Sequence, residues 1–516
     1  MSRLARFRSA VRAQLRATAV QVRTAASNPP VRGLQIAWGT NQAAEWAYFT
    51  ALEVFAFRVG GAFAVGLVGV LSELPSALVG PVTSVLGQRI RRERLLFVLA
   101  AVRSAELAAA AVAYSRGAPP GFFYGLLGLD SVLSSAVFPA QQGLLRRLVR
   151  TRRELSTSAA VTALVETIGG GLGPLAGGLL LATTNLGVVY GFSAGLLLSS
   201  GIMFLGAVWG RKLGPPMADT DYMELAARAP SPLGPRPLSA AHPLVEATGS
   251  GEEPAVGAPA PGGDAIPTGA PVPPTGVPPP AGTPPNQADP DDDEEDEEDE
   301  EGWLISDFVE GIRAIWGRRD VLILLSMFAM DGFLEGMLDV AIIVLALETL
   351  GIGPAGVGGL SVVETIGGLA GGLVALNVVG VRRLATRWGM LGFVDGFPPA
   401  LLAAFPNLGV TIGLLVIWEG IDTIDEGIGL ELMSRVVPGE LMPQVVGLED
   451  SVETLSIAVG SILGPVLIVL TGIRGTLLAI AILGPLLTIL VFPWLRRLDQ
   501  HMDAGPTEPG VAASPS

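Results

Sequence analysis

Acidic side chains set inside apolar stretches are the residues of this chain best placed to do chemistry. In "MDGFLEGMLDVAIIV", Asp331, Glu335 and Asp339 recur every four residues, which puts them on one helical face in steps of about 6 Å along the axis. Glu45 and Glu53 sit in "AAEWAYFTALEVFAF", and "WEGIDTIDEGIGLE" supplies Glu419, Asp422, Asp425, Glu426 and Glu431. An ionised acid at the centre of a membrane costs roughly 2.5 to 3.5 kcal/mol on insertion scales. Such a face therefore belongs against a polar cavity. Carboxyl groups gathered there share protons and attract cations, the two properties that a proton-coupled carrier of a small cationic or amphiphilic solute requires. Individual acids also have a purely architectural use, pairing with Arg103 or with backbone donors, and Arg103 and Glu106, three residues apart, are spaced to satisfy each other.

The elements that position these acids are membrane helices. Half of the residues are hydrophobic and the mean hydropathy is +0.52. Apolar stretches of about 20 residues recur through the chain, giving roughly twelve spans at 35–58, 61–86, 95–114, 119–143, 157–182, 186–209, 320–348, 354–379, 388–405, 409–433, 445–471 and 474–494. Arginines crowd the N-terminal segment and the loops after even-numbered spans, while the other loops are nearly bare. Because positive charge accumulates on the cytoplasmic side, both ends are expected there, as in a multi-pass protein of a bacterial inner or plasma membrane.

Composition removes several functions. There is no cysteine, and the two histidines, His242 and His501, fall outside the spans. No thiol chemistry, imidazole proton carrier or Cys-type metal site is expected, and neither a cofactor nor a metal is. The only lysine, Lys212 in "GRKLGPP", does not form a phosphate loop. An enzyme is not expected. The net charge of −15 comes mostly from "DPDDDEEDEEDEE" at 289–301, leaving about −3 for the rest, so nucleic acid is not an expected partner.

The expected organisation follows. Residues 1–34 form a basic cytoplasmic tail, 35–210 a first six-helix bundle and 211–302 a Pro/Gly-rich, then acidic, cytoplasmic loop expected to be disordered. Residues 303–319 make an amphipathic helix on the membrane surface, with Leu304, Phe308, Ile312 and Ile315 at helical spacing. Residues 320–495 form a second bundle, and 496–516 a cytoplasmic tail. The run 289–301 reads either as a solvated tether or as a dock for a basic partner or cations.

The two bundles repeat one another. At an offset of 291, Glu73 meets Glu364, Gly80 meets Gly371, Arg91 and Arg92 meet Arg382 and Arg383, Gly169 meets Gly460, and Gly173-Pro174 meets Gly464-Pro465. With a slip of one residue, Asn41 meets Asp331, Glu45 meets Glu335 and Asp130 meets Asp422. Charged residues inside spans are rare, so their coincidence carries the inference. Parallel halves point to a transporter with its site near the midplane between them. Glu45, Asp331, Glu335, Asp339, Asp130, Asp422 and Asn41 are the leading candidates for solute or proton coupling. Glu73, Glu364, Glu166 and Glu453 come second. Gly169, Gly173 and Gly177, with Gly460 and Gly464, are small-xxx-small steps for close helix packing, and Pro174 and Pro465 add a kink or a broken hydrogen bond at the same depth.

"GGGLGPLAGG" looks like the fifth-span motif of major facilitator superfamily exporters that is associated with antiport, and "GPVTSVLGQRIRRERL" resembles the loop between their spans two and three. "NPPVRGLQIAWGTNQAAEWAYFTALEVFAF" and "VFPAQQGLLRRLVRTRREL" are similar to the branch that exports enterobactin and drugs. The resemblance implies an all-α major facilitator fold of twelve helices in two six-helix bundles, with antiport of a small solute against protons across the lipid bilayer. It implies a cytoplasmic latch at Gly80, Arg89, Arg91 and Arg92, matched in the repeat by Arg382 and Arg383. Gln88 stands where the family has aspartate, which weakens that latch. Uptake by proton symport and a transport-inactive scaffold or sensor docking through the acidic loop are the alternatives.

The orientation is testable because the chain is naturally free of cysteine. Asn185→Cys, between the fifth and sixth spans, should react with an impermeant maleimide in intact cells, whereas Ser250→Cys should react only after permeabilisation.

Overall fold

The computed structural model describes residues 20–89, 91–208, 318–378, 383–438 and 441–504. The expected loop at 211–302 and nearly all of the surface helix at 303–319 lie outside them. The described residues are helical almost throughout: α1 (Pro29–Arg89), α2 (Arg92–Ser115), α3 (Pro120–Ser134), α4 (Val137–Leu148), α5 (Arg152–Thr183), α6 (Leu186–Val208), α7 (Arg319–Val344), α8 (Gly353–Val378), α9 (Leu384–Asp395), α10 (Phe397–Ala404), α11 (Leu408–Val436) and α12 (Met442–Ala504). A π-helical turn, Leu345–Thr349, extends α7. Among the described residues, eight stretches are long and apolar enough to cross a membrane, two of them 51 and 57 residues long. Those two are α1 and α12, interrupted at Gly61 (φ 63°) and Gly472 (φ 72°), a backbone region that side chains with a Cβ rarely enter. Each thus supplies a pair of spans. The expected fourth span is divided into α3 and α4, and the ninth is broken at Gly396 into α9 and α10.

Helix ends are fixed by local chemistry. The Thr151 side chain accepts from the Glu154 amide at 3.1 Å to start α5, and Asn407 accepts from Val410 at 3.1 Å to start α11. The first amides of α9 are satisfied from a distance, since Asp499 near the end of α12 accepts from Ala385 (3.0 Å) and Thr386 (2.8 Å). Residues 496–504, assigned above to a tail, are therefore helical and hold the start of α9 in place.

Glycines account for the closeness of the bundle. Within the first half, a Cβ on Gly169 or Gly173 would meet Gln42 Cβ at 2.7 Å or Ala43 O at 2.6 Å, and one on Gly177 would meet the Ala47 carbonyl, all on α1. In the second half, Gly332 faces Glu453, Gly336 faces Ile457, and Gly460 and Gly464 approach Phe333 and Met337, so α7 and α12 meet in the same way. Between the halves, Gly358 of α8 abuts Pro174 of α5, and Gly66 of α1 lies 2.7 Å, by the same measure, from the ring of Pro465 of α12. These two contacts are related by the internal repeat. Both helices continue through their prolines, each of which removes one backbone hydrogen bond and also seats a glycine of the opposite half.

The buried apolar residues are distributed unequally. One core joins the halves, combining Leu52, Val65, Phe123 and Tyr190 with Met337, Val344, Leu360 and Ile480. It lies toward the end that carries Gly61, Gly351 and Gly472. Near the other end each half has its own core, Leu34, Leu96, Leu144 and Phe204 in the first and Leu324, Phe328, Trp388 and Met433 in the second.

Gly336→Val should lower stability by about 1 to 3 kcal/mol or more, because the added groups would press on the Ile457 backbone. Gly359→Ala in α8, with open space around its Cβ, should be neutral or slightly stabilising. Thermal unfolding of the two purified variants checks both.

Candidate functional site

In the first half α1, α2 and α3 converge on one buried cation. Arg103 of α2 has no solvent exposure, and its guanidinium grips Asp130 of α3 through Nε–Oδ1 at 2.7 Å and Nη2–Oδ2 at 2.8 Å. This two-pronged arrangement is the strong form of a charge-assisted pair. Nη2 also lies 3.3 Å from Glu45 Oε1, and Asn41 Nδ2 donates to Glu45 Oε2 at 3.4 Å. The Tyr48 hydroxyl donates to Asp130 as well, and its ring is stacked on Tyr190 with centroids 6.2 Å apart. Asn41, Glu45 and Tyr48 recur at helical spacing, so a single face of α1 supplies all three. One cation thus serves two carboxylates, and of these Glu45, with 28% of its side chain exposed, is the one that reaches open space.

The sequence pairing of Arg103 with Glu106 is not realised. Glu106 is buried, and neither of its oxygens accepts a hydrogen bond. Glu106 still feels both Asp130 and Arg103 electrostatically, but the guanidinium spends its short contacts on Asp130 and Glu45. Tyr48 was missed in the sequence because a tyrosine among apolar residues carries no signal of its partner.

The second half gathers acids without such a cation. Glu335 and Asp339 are exposed on an otherwise largely buried α7. Glu335 feels Asp339, Asp422, Glu453 and Glu73 electrostatically, and Asp339 feels Glu364 and Glu73. Glu73 belongs to the first half, so these groups face the space between the halves. Glu53 acts there with Asp339 and Glu364, and Glu166 with Glu45 and Glu426. The structure therefore brings Glu45, Glu335, Asp339, Glu73, Glu364, Glu166 and Glu453 into one electrostatic neighbourhood. Asp331 and Asp422 also line, with Asp395 and Asp425, a small cavity inside the second half, and they adjoin that group through Glu335, which feels Asp422 and acts on Asp331.

Of the expected latch, Arg92 Nη1 donates to the Gly143 carbonyl at 2.7 Å, Arg91 caps α2, and Arg383 precedes α9 with φ 62°. The surroundings of Gly80, the side chains of Gln88 and Arg89, and all of Arg382 lie outside what is described.

No protein-family model and no curated protein sequence matches the chain. Solved structures do. A bacterial homologue of the human lysosomal transporter Spinster, inward-facing and unoccupied, aligns with TM-score 0.58 at 12% identity over 92% of this chain and 98% of that one. The chain has the major facilitator fold. The nucleoside transporter NupG aligns with TM-score 0.59 at 12% identity over 91% of this chain and 99% of its own. A point mutant of NupG gives 0.60 at 11% identity, over 91% and 100%. Identities this low establish architecture and leave the solute to the side chains of this chain.

Removing Asp130 leaves the buried guanidinium with the single, longer contact to Glu45. Asp130→Leu should cost about 3 to 5 kcal/mol, and Arg103→Met in the same molecule should recover most of it, because a buried pair replaced by apolar groups is often neutral. Chemical unfolding of the single and double variants measures the coupling.

Proposed function

We propose that this chain is a secondary transporter that exports a small cationic or amphiphilic solute in exchange for protons, by alternating access of a site between its two halves. The observation that carries the reading is the imbalance of charge: Glu45, Glu73, Glu166, Glu335, Asp339 and Glu364 meet between the halves, while the buried Arg103 is already held by Asp130. A cation and a proton compete for the same carboxylate, so occupation by one releases the other. That competition is the elementary form of exchange. Glu45 is the pivot in the first half, since a proton on it leaves Arg103 wholly to Asp130, and its loss restores a shared ion. Glu335 and Asp339 are the corresponding groups in the second half.

Export, rather than uptake, is supported by the exporter-like motifs of the fifth span and of the loop after the second. The arginine pattern supports a bacterial inner membrane with both termini in the cytoplasm. The joined core at one end and separate cores at the other are what a carrier open on the side of its termini requires.

In efflux-deficient cells expressing the chain, a fluorescent lipophilic cation should accumulate less than in control cells. Glu335→Gln at matched expression, or collapse of the proton gradient, should remove the difference. Loss of function on deleting 289–301 with Glu335→Gln silent would instead favour a scaffold that docks a basic partner.

A further inference from the structure

The internal repeat extends to a pair of positions at which the charge is reversed. Asp130 and Asp422 are 292 residues apart, and at that same spacing Arg103 corresponds to Asp395. The place where the first half buries a guanidinium is held in the second half by another acid. Asp395 and Asp422 line one cavity, so the two carboxyls are neighbours, as Arg103 and Asp130 are.

Between them the protein leaves a cavity of about 40 Å³, lined by Asp331, Asp395, Asp422 and Asp425 together with Phe328 and Trp388. That exceeds the roughly 30 Å³ that one water occupies in the liquid. Trp388 Nε1 donates to Asp425 Oδ2 at 2.8 Å and holds that carboxyl from one side. Trp418 likewise donates to the Asp395 carboxyl, while Asp425 Oδ1 and Asp395 Oδ1 are enclosed by protein and accept no hydrogen bond. The charged groups that act on these four acids are all carboxyls, Glu335, Glu426 and Glu453 among them. Among the described residues no set of acids is gathered tightly enough to ligate a metal ion. A cation that bridged these carboxyls would have to be equipped to donate hydrogen bonds.

We propose that this cavity receives an N–H-bearing cationic head group of the solute, a guanidinium or a primary ammonium, in the position that Arg103 fills in the first half. This rests on the reading of the chain as a carrier of cations and names the part of the solute it recognises. The two unpartnered oxygens decide between classes of cation. A guanidinium or ammonium gives them donors, whereas a quaternary ammonium has none and would leave them buried and unmet. Trp388 and Phe328, with ring centroids 5.6 Å apart, supply aromatic wall of the kind that favours a bound cation. Glu335, one turn along α7 from Asp331 and exposed to the space between the halves, lies on the way in.

The test uses the full-length protein in lipid nanodiscs with three probes of one shape: benzylguanidinium, benzylammonium and benzyltrimethylammonium. Titration calorimetry should give the two N–H probes about tenfold or more tighter binding than the trimethyl probe. Asp395→Asn and Asp425→Asn should each weaken the N–H probes by about tenfold. Asp395→Arg supplies a cation from the chain itself, and should abolish binding while raising the thermal midpoint. Equal affinity for all three probes overturns the proposal, as does unchanged binding in Asp395→Arg, and the probe series decides on the unaltered protein should a variant fail to fold. Selective binding without proton-driven transport would sink the transport reading and leave the head-group site standing. Proton-driven export of quaternary cations with no N–H preference would do the reverse.

Discussion

A guanidinium with no access to water is the harshest electrostatic demand in this molecule, and much of the first half is arranged to meet it. Arg103 has no exposure, and a buried ion without partners would cost several kcal/mol. Asp130 meets the demand with two short bonds, Tyr48 fixes Asp130, and Glu45 contributes from α1. Three helices are thereby tied at a single point. The second half has the same helices in the same order, and among the described residues it has no buried cation at the corresponding place, where Asp395 stands. The two halves are alike in shape and opposite in electrostatic completeness.

The halves meet in two ways: Gly358 against Pro174 and Gly66 against Pro465 bring backbone close to its neighbour, and a shared core packs Leu52, Phe123 and Tyr190 with Met337, Leu360 and Ile480. Two bundles joined in this way suit the proposed rocking of one half on the other, and Arg103 ties three helices of the first bundle at one point.

The twelve spans, the acids and the repeat were legible in the sequence because each leaves a mark that survives without coordinates: length, rarity and spacing. Gly169 and Gly173 could be read as packing steps, and they pack. Other features were hidden for physical reasons. The break in the ninth span at Gly396 looks like ordinary apolar sequence, whereas the turns at Gly61 and Gly472 fall at the span boundaries read from the sequence, 58–61 and 471–474. Arg103 was matched to Glu106 because local spacing is visible and a partner 27 residues away on another helix is not. Asp395 escaped notice because the repeat was recognised by like residues, and a reversal of sign at an equivalent position scores as a mismatch.

The unequal placement of the cores has a thermal consequence. Where the halves share Leu52, Phe123, Met337 and Ile480, opening a path to that end exposes apolar surface to water, which carries a positive heat-capacity change. Separating the opposite ends, where each half already has its own core, carries little. Under the proposed alternating access, the equilibrium between the two openings is therefore curved in temperature even with no solute bound, and cooling, which weakens apolar association, shifts it toward parting the shared core.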